Sequence, residues 1–234
     1  MAISICVYGS SRNSRKKYLE ESYKLGSLIA KAGYVCVNGG GRNGCMGSLN
    51  DGVLSMNGKI RGIVHHQFVL DNGEHQKIED LVVVKGDTLH ERKKMLFQGA
   101  DAVIALPGGL GTFDELFEII CLRSIEFVKC PIVAVNIDGY FDGVKKQIER
   151  AKEDDMLYVS HEDSIKFVED VEAALKFCVD SINETKSEKS DGKDEKRVVR
   201  RKIPKNYFHF FKISFAFLLG AAMMNVIQAY KINA

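Results

Sequence analysis

Residues 101–118, DAVIALPGGLGTFDELFE, restrict the fold of this chain more than any other stretch. An apolar run, a glycine-rich turn and a helix-favouring segment with two early acids read as strand, turn and helix. Such a turn leaves backbone N–H groups unpaired at the positive end of a helix, which suits a phosphate. Gly108, Gly109 and Gly111 let the backbone approach an anion closely, and Pro107 stiffens the entry. Thr112 and Glu115, three residues apart at the expected helix start, admit two readings. They form a capping box that satisfies orphan donors, or they set a carboxylate beside whatever carries the phosphate.

The rest of the pattern alternates in the same way. Strands are expected at residues 3–8, 34–37, 60–64, 81–84, 102–106, 132–135 and 165–168. Helices are expected at 15–32, 89–99, 112–127, 141–152 and 171–181. This alternation predicts a Rossmann-like, doubly wound α/β fold, a parallel sheet with helices on both faces. Ligands of such sheets collect beyond the carboxyl ends of the strands. The turns at Gly9 and Ser10, at residues 39–44 and at Gly108 all fall at that edge, so they are expected to converge on one site.

A chain of 234 residues has room for one substantial core and an appendage. A net charge of +2 gives no reason to expect nucleic acid as the main partner. Cys6, Cys36, Cys45, Cys121, Cys130 and Cys178 show no metal-ligand spacing, and several sit in apolar runs as reduced core thiols. His65 and His66 end a strand with no companion ligands nearby, so no metal is expected. Residues 3–8 are too short to be a secretory leader, and a cytoplasmic catalytic domain is expected.

The turn Gly39-Gly40-Gly41-Arg42-Asn43-Gly44 matches G-x-G-x-x-G after a strand. A dinucleotide site also wants an acid about twenty residues further on, and residues 60–66 have none. The motif also follows the second strand rather than the first, so neither NAD nor FAD is expected.

The segment from Pro107 to Glu115, PGGLGTFDE, resembles the PGGxGTxxE signature of the LOG ("Lonely Guy") family of nucleoside 5′-monophosphate phosphoribohydrolases, often mislabelled as lysine decarboxylases. LHERK, from Leu89 to Lys93, is similar to the family's MHxRK motif, and GGGRNGCMG to its GGGxxGLMG segment. The resemblance covers about residues 3–180. It implies hydrolysis of the N-glycosidic bond of AMP or an N6-modified AMP such as a cytokinin ribotide, with no cofactor, in a homodimer. Arg92 and Glu115 stand at the family's catalytic positions. Lys93, Gly109, Leu110, Gly111, Thr112, Phe113 and Asp114 match its substrate-contacting positions. Gly108, Gly9, Ser10, Gly40 and Gly41 join them as loop residues of the same edge. Taken alone, Arg92 and Lys93 belong to a charged run at 91–94 that also reads as a solvated helix face.

The chemistry fits these residue types. Glycoside cleavage passes through an oxocarbenium-like sugar, which a carboxylate stabilises while orienting water. Arg92 stays charged, so it serves to fix the sugar hydroxyls or Glu115 rather than to donate a proton. Several departures bear on the base taken. Leu89 and Cys45 replace the family's methionine and leucine, His65 stands where relatives carry Pro, and Cys121 and the LRSIE that follows replace their Thr and Trp-Ala-Gln. Three rival readings remain: a nucleotide carrier that leaves its ligand intact, a decarboxylase, and a membrane scaffold. A decarboxylase would need a Schiff-base lysine for pyridoxal phosphate, and no lysine stands in such a context.

Beyond the domain at 1–182, residues 183–206 read as a charged flexible linker. Its second half carries Lys196, Arg197, Arg200, Arg201, Lys202 and Lys205. Residues 207–229 form an apolar segment, uncharged from Ile213 to Met224. About twenty helical residues at ~1.5 Å each just cross a bilayer core. The basic run before it would keep the enzyme on the cytosolic side, which describes a tail anchor. An interfacial helix and a helix buried against a partner are the alternatives.

Overall fold

Residues 2–70, 72–157 and 164–190 are described by the computed structural model. The element order is β1 (Ser4–Tyr8), α1 (Lys16–Lys31), β2 (Val35–Asn38), α2 (Gly44–Ser55), β3 (Lys59–His65), α3 (His66–Leu70), β4 (Asp80–Val84), α4 (His90–Phe97), β5 (Ala102–Ala105), α5 (Leu110–Ser124), β6 (Ile132–Val135), α6 (Asp142–Glu153), β7 (Lys166–Val168) and α7 (Val171–Ser190). The seven strands form one sheet in the order β4-β3-β2-β1-β5-β6-β7, and every pairing is parallel. This is the expected Rossmann-like α/β architecture.

Alternation along each strand builds two apolar layers. Ile5 and Val7 of β1 face a core shared with α1, α2 and α7, through Leu25, Leu49 and Cys178. Cys6 and Tyr8 face the opposite core, where Leu96 of α4, Leu116 and Ile119 of α5 and Ile148 of α6 pack. Both sheet faces are thus covered, as near-continuous apolar strands require.

Two helices departed from the sequence pattern. The segment that becomes α2 carries Gly44, Gly47 and Gly52, which weaken helix propensity by about 1 kcal/mol each. Packing explains these glycines. A Cβ at Gly26 of α1 would lie 2.1 Å from the Leu49 carbonyl oxygen, and one at Gly52 of α2 would lie 2.0 Å from that of Tyr23. The two helices therefore meet backbone to backbone, and the Ser27 hydroxyl donates to the Gly52 carbonyl at 3.2 Å. The short α3 was also not expected; His66, read with His65 as the end of a strand, is its first residue.

Helix α7 continues to Ser190, past residue 183 where the sequence suggested a flexible linker. Ile182 is buried in the core, so the domain's packing reaches at least that far. The remainder of the expected linker and the apolar segment 207–229 lie outside the described residues. Among the described residues no helix is long and apolar enough to cross a membrane.

Gly52→Ala and Gly26→Ala are each expected to destabilise the domain by about 2 kcal/mol through overpacking. A urea-unfolding midpoint equal to that of the native chain would show that the α1–α2 approach is looser than described.

Candidate active site

Strand order reverses between β1 and β5, and the helices after those strands leave to opposite faces. A crevice therefore opens beyond their carboxyl ends. It holds a cleft of about 700 Å³. All three glycine turns reach it: Gly9 and Ser10 after β1, Gly39 and Gly41 after β2, and Gly108 to Gly111 after β5. The Ser10 N–H donates to the Pro107 carbonyl at 3.1 Å, which ties the first turn to the third.

Helix α5 begins at Leu110 with Gly109 as its N-cap, and no side chain caps it. Thr112 is therefore the third helical residue, and Asp114 and Glu115 belong to the second turn rather than the first. The capping-box reading of Thr112 and Glu115 falls on this register. Among the described residues, no acceptor bonds the N–H groups of Leu110, Gly111 and Thr112. Three unpaired donors at a positive helix end are an arrangement that favours an anion.

Helix α2 presents the opposite case. Its first N–H groups are taken by the protein itself: Gly44 donates to Asn13 Oδ1 at 2.9 Å and Cys45 to Ser10 Oγ at 3.2 Å. Met46 donates to the Ser10 carbonyl at 3.1 Å. The G-x-G-x-x-G turn thus has no free donors in its first turn for a pyrophosphate. Its glycines instead make room: a Cβ at Gly39 would lie 2.4 Å from Arg92 Nη2, and Gly44 at φ +66° abuts the Ser10 and Arg12 carbonyls.

Arg92 of α4 and Glu115 of α5 meet across the cleft floor, Nη1 to Oε1 at 3.0 Å. Their side chains are only 9% and 14% exposed, so the pair is nearly dry. Arg92 Nε donates to the Ile63 carbonyl at 3.0 Å, which fixes the guanidinium plane. Its Cζ lies 6.0 Å from the Phe68 ring centre, a cation–π approach. Burial pushes the Glu115 carboxyl above the range of an ordinary glutamate, and the Arg92 charge and hydrogen bond pull it partly back.

Lys93 faces the same cleft, but its ammonium is bound at 3.0 Å to Asp114 and 3.2 Å to Glu118. Burial acts to lower this ammonium's pKa, and the two acids outweigh it, leaving it raised. Of the residues singled out in the sequence, Gly40 and Phe113 do not line the cleft. Gly40, at φ +68°, turns its N–H to Asn38 Oδ1 and packs on Leu81. Phe113 packs beneath the site against Tyr140 and Phe141. His65 is buried, with Nε2 on the Gly86 carbonyl at 2.9 Å, and Cys121 is exposed; neither is in the wall. The wall contains Tyr140, Phe68, Met46 and Asn43, which sequence reasoning missed. For Tyr140 the signal was the Asp-Gly turn at 138–139, a punctuation mark directly before an aromatic residue. Among the described residues no cluster of His, Cys, Asp or Glu is arranged to hold a metal ion.

A protein-family model described as "Possible lysine decarboxylase" matches residues 46–178. The cytokinin riboside 5′-monophosphate phosphoribohydrolase LOG of Oryza sativa subsp. japonica is 32% identical over 148 residues, 63% of this chain and 60% of that one. The cytokinin riboside 5′-monophosphate phosphoribohydrolase of Mycobacterium tuberculosis is 29% identical over 178 residues, 76% of this chain and 94% of that one. This chain thus spans well under two thirds of the rice relative's length and nearly all of the mycobacterial one's. In fold it is similar to the molybdenum cofactor carrier protein of Chlamydomonas reinhardtii, with TM-score 0.60 at 17% identity over 78% of this chain and 99% of that one. The molybdenum cofactor binding protein of Rippkaea orientalis gives 0.59 at 21% over 78% and 98%. With a family match over more than half its length and the family's motifs assembled in one cleft, this chain belongs to the LOG family, whose model carries the lysine decarboxylase description.

Proposed function

We propose that the cleft hydrolyses the N-glycosidic bond of a nucleoside 5′-monophosphate, AMP or an N6-modified AMP such as a cytokinin ribotide, releasing free base and ribose 5-phosphate. The observation that carries this reading is the buried Glu115 carboxylate, which Arg92 of α4 holds and which sits on α5, the helix whose first N–H groups are unpaired. Glu115 lies five helical steps beyond Leu110, a rise of about 7.5 Å. A phosphate held on the donors therefore leaves its sugar within reach of the carboxylate.

The reaction is a substitution at the anomeric carbon. The water oxygen bonds to that carbon, the C–N bond breaks with its electron pair going to the base, and one water proton ends on the base. Positive charge grows on the sugar as the bond breaks. Glu115 opposes that charge and can orient the water. Arg92 opposes the rise in pKa that burial imposes on the carboxyl and fixes its direction. The apolar wall of Met46, Phe68 and Leu89 offers a face to a purine.

Decarboxylation of lysine through a Schiff base fits poorly. Among the described residues Lys93 is the lysine of the cleft wall, and its ammonium is ion-paired and raised in pKa. A Schiff-base lysine needs the opposite shift. The second reading is a nucleotide carrier, favoured by the fold likeness to molybdenum cofactor carrier and binding proteins. It would hold its ligand intact and give Glu115 no chemical task.

Glu115→Gln is expected to keep affinity for AMP while kcat falls by about 10²–10⁴-fold. Turnover equal to the native chain would remove Glu115 from the mechanism. The pH profile carries a second mark. Because burial raises the Glu115 carboxyl, the active carboxylate is lost, as pH falls, at a higher pH than for an exposed glutamate. Arg92→Gln removes the opposing charge, so the acid limb should move further up; a limb that stays in place contradicts the coupling.

We also propose that the segment 207–229 tethers the enzyme to a membrane from its cytosolic side, and that the domain is a homodimer. Exposed Leu110 and Phe117 on α5, and Phe127 just beyond it, support an apolar contact between copies. A chain ending at Ser190 should stay in the soluble fraction at twice its monomer mass, whereas the full chain should sediment with membranes. A freely soluble full chain removes the tether, and a monomer mass removes the dimer.

A further inference from the structure

Tyr140 lines the cleft but has no part in the mechanism above. It follows a tightly determined turn. Asn136, directly after β6, accepts the Phe141 N–H on Oδ1 at 2.6 Å and donates from Nδ2 to Asp142 Oδ1 at 2.9 Å. The Asn136 N–H is bonded to the Val168 carbonyl of β7 at 2.7 Å. Asp138 and Gly139 then both take left-handed backbone, at φ +53° and +73°. Lys17 of α1 pairs with the Asp138 carboxylate. Gly139 takes this conformation without cost, whereas Asp138 keeps it only where its surroundings hold it.

This turn sets one ring among three others. Tyr140 meets Tyr18 edge-on at 5.5 Å and Phe141 at 5.1 Å, and lies nearly parallel to Phe113 of α5 at 6.4 Å. The rings aim the phenol hydroxyl at the Gly108 carbonyl, to which it donates a hydrogen bond. Gly108 cannot carry a side chain here, because a Cβ would lie 2.0 Å from Thr112 Oγ1.

The consequence follows from peptide geometry. The Gly108 carbonyl and the Gly109 N–H share one planar trans unit and point in opposite directions, so holding one fixes the other. No described residue accepts the Gly109 N–H. A peptide between two glycines meets little steric resistance to flipping. Flipped, it would turn a carbonyl oxygen where a donor had been, and an anion there would be repelled. The preceding carbonyl, that of Pro107, is already held by the Ser10 N–H.

We propose that Tyr140 is a positioning residue of the anion site: its hydroxyl holds the Gly108–Gly109 peptide in the orientation that presents donors to the phosphate. The proposal rests on the nucleoside monophosphate reading only in taking the ligand to be a phosphate ester. It requires no turnover. Tyr140 acts through the loop, not on the reacting atoms.

Tyr140→Phe keeps the ring stack and removes only the hydroxyl. The test is calorimetric titration of the full-length chain with AMP and with adenosine, in the Glu115→Gln background so that the ligand stays intact. The loss of one hydrogen bond predicts AMP affinity about fivefold weaker, with adenosine affinity unchanged. Equal AMP affinity with and without the hydroxyl overturns the proposal, as does an equal loss for AMP and adenosine. The native chain's turnover is read separately. Intact AMP there, with a Tyr140-dependent phosphate preference, ends the hydrolase reading and leaves the positioning role standing. A protein that binds AMP no better than adenosine ends both.

Discussion

The strand order reverses at β1, which pairs with β2 on one side and β5 on the other. That single constraint creates the site. Every strand is parallel, so every following turn lies at one edge, and the reversal leaves a gap in the helical cover between the first and fifth strands. Within the gap the two helix N-termini are not equivalent. Ser10 and Asn13 close the end of α2, while α5 is left open beyond Gly109. The electrostatic character of the cleft follows from that asymmetry, because unpaired donors concentrate the positive end of a helix.

The Arg92–Glu115 pair gives the open end a chemical neighbour. Nearly dry ion pairs contribute little net stability, because desolvation offsets much of the attraction. Their presence on a cleft floor therefore needs another explanation than folding. Here the rise in pKa that burial imposes on the carboxyl is opposed by a guanidinium that is itself fixed by the Ile63 carbonyl and the Phe68 ring. Such preorganisation suits a group that must face a developing positive charge without moving. Lys93, Asp114 and Glu118 join α4 to α5 just beside it, so the two helices that carry the pair are held in register.

Much of this was legible in the sequence, and the exceptions have physical causes. All seven strands were placed to within a residue at each end, because buried parallel strands are short apolar runs between turn signals; β3 outruns its apolar run by one residue at each end because Lys59 and His65 still pair in the ladder. Arg92 and Glu115 were found through motif rather than periodicity, since a charged run alone does not say which residue turns inward. Helix α2 was missed because the glycines that weaken its propensity are the residues that admit α1, a tertiary demand invisible to local pattern. Thr112 and Glu115 were misread as a possible cap because the helix begins two residues earlier, on Leu110, with a glycine cap that carries no side-chain signal. Tyr140 was overlooked because its role depends on a ring cluster drawn from four separate positions in the chain.

We propose that this cleft breaks the bond between a base and ribose 5-phosphate. The most direct measurement is chromatographic separation of the products after purified protein is incubated with AMP and with isopentenyladenosine monophosphate. Free base and ribose 5-phosphate are expected in equal amounts from at least one of them, and the preferred one identifies the base the apolar wall accepts. Both nucleotides recovered intact, despite measurable binding, would contradict it and leave a carrier in its place.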